Sequence, residues 1–326
     1  MDHYERSSLN GFSMYSIDRI HLKRKDEKWI REQMEASNSR FIPLWQTKNL
    51  FSEEGNPRPV LLSRAHLGDA IELAESVTLL GEDGERVYFA VDLPDREDSP
   101  PSHIAGLGKF QDLRRVSAML GRRDGALLAY ARAIAHWHRR NRFCGDCGSP
   151  TATALGGHVR VCTNPDCGQQ HFPRTDPAII VLVSSGEYCL LGRQTVWPQH
   201  MYSTLAGFVE PGETLESAVV REVMEETGIE VTRANYHSSQ PWPFPSSIML
   251  GFMAEAVKAP VRLDDNELED AGWFSRRDIE KGLRAGTFRL PTPLSIAYRL
   301  IEDWFDAEGT TPLKSLPGIN EQIVSR

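Results

Sequence analysis

A segment in the second half of the chain, residues 207–229, constrains the fold and chemistry most. It reads GFVEPGETLESAVVREVMEETGI and fits the pattern G-x5-E-x7-R-E-U-x-E-E-x-G-U, where U is apolar. Residues 215–227 are good helix formers, a Pro-Gly pair supplies a turn before them, and Gly228 is a residue type that often ends a helix. We therefore predict a turn followed by a helix over residues 215–227.

The predicted helix carries three carboxylates close together. With about 3.6 residues per turn, Glu222, Glu225 and Glu226 occupy positions i, i+3 and i+4 and share one face. Such carboxylates repel one another unless a cation lies among them, and hard oxygen ligands suit Mg²⁺ or Mn²⁺. An amphipathic helix with a solvated acidic face is the alternative, which the accompanying Glu213 and Arg221 disfavour. The other side of the helix is expected to pack against a sheet through Val219, Val220, Val223 and Met224.

Length and composition indicate an ordinary globular protein. The 326 residues suit two domains with a small insert, and 40% hydrophobic with 25% charged residues is enough for a core. The formal net charge of -8 gives no overall attraction to nucleic acid or an anionic membrane. The first residues lack the apolar region of a signal peptide, and no apolar run is long enough to cross a bilayer. We predict a soluble, cytoplasmic protein.

Four of the five cysteines are clustered in a Cys-x2-Cys pair, fourteen intervening residues and a Cys-x4-Cys pair. This spacing is typical of metal knuckles rather than of a disulfide framework, and unligated buried thiols are the alternative. Four sulfur ligands leave no open position, so we predict one structural Zn²⁺ per chain. Cys189 is predicted to be a core residue of a strand. The predicted ligands are Cys144, Cys147, Cys162 and Cys167.

The pattern of apolar and turn residues divides the chain. We predict a mixed α+β N-terminal domain over 1–105, a helical connector over 106–142, a zinc ribbon over 143–172, an α/β domain over 173–308 and a loosely held tail over 309–326. The loop 93–102, rich in proline and acidic residues, is expected to be a linker. The connector has apolar residues at helical spacing, which predicts a packing stripe: Leu127, Ala131, Ile134 and Trp137.

The segment 109–142 has a local excess of positive charge, with nine Lys and Arg against two Asp. Such a segment can contact an RNA backbone, and the alternatives are solvated helix faces or partners for acidic surface elsewhere. The basic residues are Lys109, Arg114, Arg115, Arg122, Arg123, Arg132, Arg139, Arg140 and Arg142.

Residues 239–247 read SQPWPFPSS. Three prolines interleaved with Trp242 and Phe244 are incompatible with a regular helix or a central strand. We predict a stiff extended loop that presents aromatic rings and the Gln240 amide, and a stiff loop loses little entropy when a flat base stacks on it.

The segment 207–229 is the signature of the Nudix hydrolases. Together with the four-cysteine ribbon and SQPWPFPSS, it makes the chain resemble the NADH pyrophosphatase branch of that family over about 137–305, and RFIPLW at 40–45 resembles the N-terminal domain of that branch. The resemblance implies a Nudix α/β/α sandwich behind a smaller mixed α+β domain and a zinc ribbon, usually as a homodimer. Members hydrolyse NAD(H) to nicotinamide mononucleotide and AMP, and some remove NAD caps from RNA 5′ ends.

The resemblance also implies roles for single residues. Glutamates that match Glu222, Glu225 and Glu226 hold about two or three Mg²⁺ or Mn²⁺ ions and activate water, while Arg221 orients them. The carbonyl of Ala206 and the carboxylate of Glu267 are further ligands. Glu225 is a candidate base, although the sequence does not separate its role from that of Glu226.

A dinucleotide pocket is implied in the same way, with Phe172 and Phe208 stacking on bases and Ala297 making a backbone contact. Phe172 stands where the family often has tyrosine, Gly272 replaces a frequent basic residue, and the second knuckle is longer than usual. A Nudix enzyme for ADP-ribose and a zinc-ribbon nucleic-acid-binding protein with a silent Nudix domain remain alternatives. The implied pocket residues are Gln240, Pro241, Trp242, Pro243, Phe244, Pro245, Ser246, Ser247 and Glu267.

Overall fold

A computed structural model describes residues 1–13, 17–94, 99–263 and 267–319. The helices are α1 His3–Leu9, α2 Glu27–Glu35, α3 Arg64–Leu67, α4 Ser102–Ala105, α5 Leu113–Val116, α6 Arg122–Arg140, α7 Leu215–Thr227, α8 Arg276–Ala285 and α9 Ile296–Glu308. The strands are β1 Arg40–Trp45, β2 Lys48–Phe51, β3 Ser76–Glu82, β4 Val87–Asp92, β5 Lys109–Gln111, β6 Thr151–Ala154, β7 Val159–Cys162, β8 Gln170–His171, β9 Asp176–Ser185, β10 Tyr188–Arg193, β11 Leu205–Phe208, β12 Val231–Trp242, β13 Ser247–Ala256 and β14 Asp270–Ser275.

The chain divides into two compact units. The C-terminal unit comprises Met1–Ser13, Asp176–Pro241 and Ser247–Arg326, and the N-terminal unit comprises Met14–Thr175 and Trp242–Ser246. Within the described ranges, no helix is both long enough and apolar enough to cross a membrane.

The sheet of the C-terminal unit has the strand order β12-β13-β9-β10-β14, and β11 also pairs with β9. Strand β9 is parallel to β13 and antiparallel to β10 and β11. Alternate residues of a strand point to opposite faces. Ile180 and Leu182 accordingly pack into the cluster formed with α8 and α9, whereas Ile179, Val181 and Val183 pack into the cluster formed with α7. The predicted α/β/α sandwich is confirmed.

Helix α7 has the predicted bounds because its capping signals are local. The Thr214 hydroxyl accepts a hydrogen bond from the backbone N–H of Ser217 at 3.1 Å, which caps the N-terminus. Gly228 has φ +67°, a left-handed conformation that favours glycine, and its N–H bonds to the last turn.

The buried face of α7 differs from the prediction. Val219 and Val223 are buried as expected, but Val220 and Met224 are 41% and 40% exposed. Positions 219, 223 and 226 follow the i, i+4, i+7 spacing of one helix face, so Glu226 shares the buried side and is only 2% exposed. The prediction that all four apolar residues pack on the sheet is therefore wrong for Val220 and Met224.

The first residues belong to the C-terminal unit, which corrects their assignment to the N-terminal domain. The Asn10 side chain donates to the Ser239 carbonyl at 2.8 Å and to the Ser238 hydroxyl at 3.1 Å. Arg6 forms a 3.3 Å ion pair with Asp303 on α9. These contacts join segments more than two hundred residues apart, and the local sequence does not predict them.

The tail was predicted to be loosely held, and this is wrong for residues 313–319. Leu313, Leu316 and Ile319 are buried in the cluster that contains α8 and α9. Residues 320–326 lie outside the described ranges. The three buried residues, spaced by three positions, cover the end of the core. A pattern of three residues is too short to be identified from the sequence.

The N-terminal unit contains a five-stranded sheet, β3-β4-β1-β2-β5, and a three-stranded sheet, β6-β7-β8. Helix α6 contacts β1, β3 and β4, so residues 106–142 belong to this unit and are not a separate connector. The packing stripe is confirmed, because Leu127, Ala131, Ile134 and Trp137 are all buried. Part of the predicted linker, residues 95–98, lies outside the described ranges.

The basic segment is partly neutralised within its own unit. Arg139 forms a bidentate pair with Asp92 at 2.6 and 2.7 Å, and Arg142 pairs with Glu75 at 3.0 Å. Arg123 pairs with Asp83, and Arg132 lies 3.6 Å from Asp112. For Arg123, Arg139 and Arg142 the structure supports the alternative in which they are partners for acidic surface elsewhere, whereas Arg132 lies near an aspartate of the basic segment itself.

His138 lies buried at the end of α6, where it contacts Arg160 of β7. Arg160 can only donate, so its Nη1, at 3.1 Å, must donate to Nδ1 of the ring. The ring proton is therefore on Nε2, which donates to the Gly157 carbonyl at 2.9 Å. Burial, followed by the charge of Arg160, lowers the pKa of His138 to about 4. The neutral ring is the form that these contacts require.

Acid should destabilise the protein through His138. The unfolded pKa of histidine is about 6.5, so between that value and about 4 the unfolded chain binds a proton that the folded chain does not. Stability is thus lost as pH falls through this window, by about 2 kcal/mol at pH 5 for this residue. In urea titrations at pH 7 and pH 5, His138→Asn should lose less stability between the two pH values than wild type. His21→Asn, at an exposed position, should keep the wild-type difference, and an unchanged difference in His138→Asn would contradict the assignment.

Candidate active site

Arg221 on α7 is the centre of a carboxylate cluster. Its guanidinium has five N–H groups, and each has an acceptor. Nε and Nη2 donate to the two oxygens of Glu213 at 2.7 and 2.9 Å, and Nη1 donates to Glu222 and Glu225, both at 2.9 Å. Nη2 also donates to the Phe208 carbonyl at 2.9 Å. One arginine therefore fixes three glutamates against the end of β11.

The carboxylates of the cluster repel one another. Burial raises the pKa of Glu222, and the charges of Glu225 and Glu267 raise it further, whereas Arg221 opposes them. The hydrogen bond from Arg221 lowers the pKa of Glu213 to about 2. Glu213 is thus the firm partner of the arginine, while Glu222 is a carboxylate that further positive charge would stabilise.

Gly207 provides the space in which the Glu222 carboxylate lies. A Cβ atom at position 207 would be 1.9 Å from Cδ of Glu222 and 2.0 and 2.1 Å from its oxygens. The carboxylate therefore packs directly on the backbone of β11, next to Ala206. This cradle and the carboxylate-rich donor set fit a hard divalent cation. In the ranges that the structure describes, only the four cysteines gather three or more potential ligand atoms within 4.8 Å, so the glutamate carboxylates are spread more widely than the thiols.

The two remaining predicted ligands occupy different settings. Glu226 is buried beside Val219 and Val223 on the sheet-facing side of α7. Glu267 is exposed, and its charge reaches Glu222 strongly enough to raise the pKa of that residue. A buried carboxylate is stable only where charge or hydrogen bonds compensate it, which is typical of functional positions.

Replacing Gly207 with alanine should displace the Glu222 carboxylate, because the carboxylate and a Cβ atom at position 207 cannot occupy the same space. We expect the hydrolytic rate to fall by at least about 10-fold, the lower end of what is seen when a ligand is misplaced. Gly272→Ala is the matched control, since its Cβ would meet only Phe274 at 3.7 Å. Both variants should keep wild-type circular dichroism. Equal rates for the two variants would show that the position of Glu222 does not matter.

The cysteine cluster has the geometry of a zinc site. The ligand atoms of Cys144, Cys147, Cys162 and Cys167 all lie within 4.8 Å of one another. The Sγ–Sγ distances are 3.8 Å for Cys144–Cys167 and 3.4 Å for Cys147–Cys162. Tetrahedral zinc with bonds of about 2.3 Å separates its sulfurs by about 3.8 Å, so the thiols fit this ion. Cys189 is buried in β10 apart from this group, as predicted.

Gln240 does not have the setting predicted for it. Segment 239–247 is a hairpin whose first half continues strand β12 to Trp242, and Pro241 is tolerated because β12 is an edge strand. The Gln240 amide is fully buried and donates to the carbonyls of Gly11 and Leu294 at 3.1 and 2.7 Å. Its oxygen accepts from the Ile296 N–H at 2.8 Å. The side chain holds the unit together instead of being presented on an exposed loop.

The turn of this hairpin, Trp242–Ser246, is assigned to the N-terminal unit. Arg132 donates from Nε to the Pro243 carbonyl at 3.0 Å, and its guanidinium lies 5.0 Å from the ring centre of Phe244. The guanidinium of Arg114 lies 5.7 Å from the ring of Trp242. Cations on aromatic faces stabilise the turn and leave less of each face for a ligand.

The other predicted pocket residues are divided between the units. Phe208 is exposed beside the glutamate cluster, while Pro241 and Ser247 flank the hairpin turn on β12 and β13. Phe172 is exposed in the N-terminal unit, just after β8. Ala297 is buried in the first turn of α9, and its N–H donates to Ser295 at 3.2 Å.

Two contributors to the site were missed. Gly207 was used only as part of a pattern, although its lack of a side chain makes room for Glu222. Gly11 was not considered, although its carbonyl receives a hydrogen bond from Gln240 and a Cβ there would lie 2.6 Å from Leu294. The motif of residues 207–229, which begins with a glycine, could have indicated the role of Gly207. No local signal in the sequence indicates the role of Gly11.

Comparison with known proteins identifies the family. Residues 173–291 match the NUDIX domain, 139–172 the NADH pyrophosphatase zinc ribbon domain, and 38–137 the NADH pyrophosphatase-like rudimentary NUDIX domain. The chain is 43% identical to the NAD-capped RNA hydrolase NUDT12 of Macaca fascicularis over 90% of this chain and 73% of that protein. NAD-capped RNA hydrolases NudC of Stutzerimonas stutzeri and Mycobacterium bovis are 41% and 36% identical, covering 72% and 90% of this chain and 79% and 95% of theirs. The chain therefore belongs to the Nudix hydrolases, in the branch that combines a NUDIX domain with the NADH pyrophosphatase zinc ribbon and NADH pyrophosphatase-like domains.

Proposed function

We propose that this protein hydrolyses the pyrophosphate bond of NAD(H) to nicotinamide mononucleotide and AMP, and that it also removes NAD caps from RNA 5′ ends. The observation that carries the proposal is the cluster of Glu213, Glu222 and Glu225 fixed by Arg221 on α7. The substrate comes from the three relatives described above, each of which is named an NAD-capped RNA hydrolase.

We assign the catalytic metal, Mg²⁺ or Mn²⁺, to Glu222, Glu226, Glu267 and the carbonyl of Ala206, with Glu225 at the edge of the set. When bound, such ions neutralise the oxygens of pyrophosphate and lower the pKa of a bound water. The chain holds the proposed ligands in position before a metal binds. Arg221 restrains the carboxylates, and Gly207 lets Glu222 approach the β11 backbone.

Glu225 is our candidate for the residue that positions or deprotonates the attacking water. It is half exposed, whereas Glu222 and Glu226 are largely buried, and it has a hydrogen bond from Arg221 that fixes its orientation. A general base needs both access to water and a fixed direction. Glu225→Gln should therefore lower turnover more than it lowers the affinity for the metal.

We propose that Phe208 stacks on one base of the dinucleotide, and that Gln240 contributes by keeping the hairpin and α9 in register. One structural zinc ion would occupy the cysteine cluster. Self-association as a homodimer rests on the family resemblance, and analytical ultracentrifugation of the zinc-loaded protein tests it.

A panel of four substrates tests the proposed function. Purified protein with Mn²⁺ or Mg²⁺ receives equal concentrations of NADH, NAD⁺, ADP-ribose and NAD-capped RNA, and the release of mononucleotide is timed. We expect fast release from NADH or capped RNA and slow cleavage of ADP-ribose. Preference for ADP-ribose would replace the proposed substrate, and no release from any of the four would favour a binding protein with a silent Nudix domain.

A further inference from the structure

A cavity of about 320 Å³ lies in the N-terminal unit, and no residue of the glutamate cluster lines it. Its wall is formed by the C-terminal end of α6, the start of β3, the end of β4, residues leading into the first zinc knuckle, and β7. Ligand pockets in proteins span about 300–1,000 Å³, so the space accommodates a small ligand of about one nucleotide.

Four charged residues on the wall form two ion pairs, each of which is neutral. Asp92 is buried and bonded to Arg139, and Glu75 is bonded to Arg142. Carboxylates already paired with guanidinium groups are poor ligands for a cation. The charged groups of the wall therefore sum to one positive charge, which belongs to Arg160, and the guanidinium of Arg142 lies on the same wall as a second donor for an anion.

Arg160 is a buried cation without a carboxylate partner in the described part of the chain. It is 8% exposed, and its hydrogen bonds go to the hydroxyl and carbonyl of Thr151 at 2.6 and 2.7 Å and to the neutral ring of His138. Three of its five N–H groups are thus used, which leaves two. An isolated charge taken out of water is costly unless an opposite charge joins it.

An aromatic ring completes the wall. Phe143, next to Arg142 in the sequence, is 65% exposed although it lines the cavity. Core packing does not account for a phenylalanine in this position. A base can stack on such a ring while a guanidinium fork binds its phosphate, which is how many proteins bind single nucleotides of a strand.

We propose that this cavity binds one phosphate-bearing nucleotide, with its phosphate on Arg160 and Arg142 and its base against Phe143. The nucleotide belongs either to an RNA strand or to a free mononucleotide. The RNA source rests on the proposed function, whereas the free mononucleotide does not. His138 holds Arg160 in place through its neutral Nδ1 and adds no charge.

Binding to the full-length, zinc-loaded protein tests the proposal. The probes are a fluorescent, uncapped eight-nucleotide single-stranded RNA with a 5′ hydroxyl, followed by anisotropy, and AMP, followed by calorimetry. The variants are Arg142→Gln and Phe143→Ala, and Phe143 is exposed enough for its removal to spare the fold. Arg140→Gln is the matched control, because it removes an equal charge from the exposed end of α6 outside the cavity wall.

We expect both cavity variants to bind at least one probe about 10-fold more weakly than wild type, and Arg140→Gln to stay within about twofold. Loss for the RNA alone identifies a strand as the source, and loss for AMP identifies the free nucleotide. NADH turnover should remain within twofold in all three variants, since none belongs to the glutamate cluster.

Two results would overturn the proposal. One is no binding of either probe by wild type, and the other is equal weakening in Arg140→Gln and the cavity variants, which would indicate general electrostatic attraction. The NADH assay on the same preparations separates the two ideas. Failed binding with normal turnover refutes only the cavity, and normal binding without turnover on any substrate refutes only the proposed function.

Discussion

Glu226→Gln should lower NADH turnover by at least about 100-fold while the protein stays folded. Replacing residues that merely support metal ligands costs about 10–100-fold, so replacing Glu226, which we propose as a ligand, should cost at least the upper value. Glutamine keeps the shape of a side chain that is 2% exposed beside Val219 and Val223, but it removes the charge. The measurements are initial rates at saturating Mg²⁺ or Mn²⁺ and circular dichroism of the same sample.

Glu216→Gln is the control for this substitution. Glu216 lies in the first turn of the same helix and is exposed, so its replacement changes the net charge equally without touching the cluster. We expect wild-type turnover in this control. Wild-type turnover in a verified Glu226→Gln preparation would remove Glu226 from the catalytic machinery.

Cys144→Ser should release the zinc and unfold the ribbon. A tetrahedral four-sulfur site contributes apparent binding free energy of about 10–16 kcal/mol to folding, and a serine hydroxyl is a poor substitute for a thiolate. The loss of structure should extend from the ribbon to α6, because β7 carries both Cys162 and Arg160, and Arg160 contacts His138 of α6. We expect zinc content well below one per chain by elemental analysis and a lower midpoint of thermal unfolding.

Cys189→Ala separates zinc loss from the general cost of removing a thiol. Cys189 is buried between β9 and β14 and is not part of the four-cysteine group. This variant should keep its zinc and lose only a little stability. A Cys144→Ser protein that is free of zinc, stable and fully active would show that the cluster has no structural role.

Features with local causes could be predicted from the sequence. The bounds of α7 follow from the Thr214 cap and the Gly228 stop, both adjacent to the helix. The cysteine cluster follows from spacing alone, because the turns at Gly148 and Gly168, with φ +73° and +58°, bring each pair of thiols together. The sandwich was implied by the family resemblance, and the structure explains it by the alternation along β9, which has one apolar set for each helix layer.

Features with distant causes could not be predicted. Gln240 was expected to be presented by a loop, but its partners Gly11, Leu294 and Ile296 come from two other parts of the chain. The burial of Glu226 was missed for another reason. Glu226 was grouped with the other glutamates by charge, although Val219, seven positions earlier, lies on the same helix face. Predicting contacts between remote segments requires knowledge of the fold. The burial of Glu226 could have been predicted from the helical period alone.

The most direct test of the central claim is the identity of the products formed from NADH by the wild-type protein with Mg²⁺ or Mn²⁺, determined by mass spectrometry in H₂¹⁸O. The account predicts equal amounts of reduced nicotinamide mononucleotide and AMP, with one ¹⁸O atom in the phosphate of one of them. Release of nicotinamide with intact ADP-ribose, or no ¹⁸O in either phosphate, would contradict hydrolysis at the pyrophosphate.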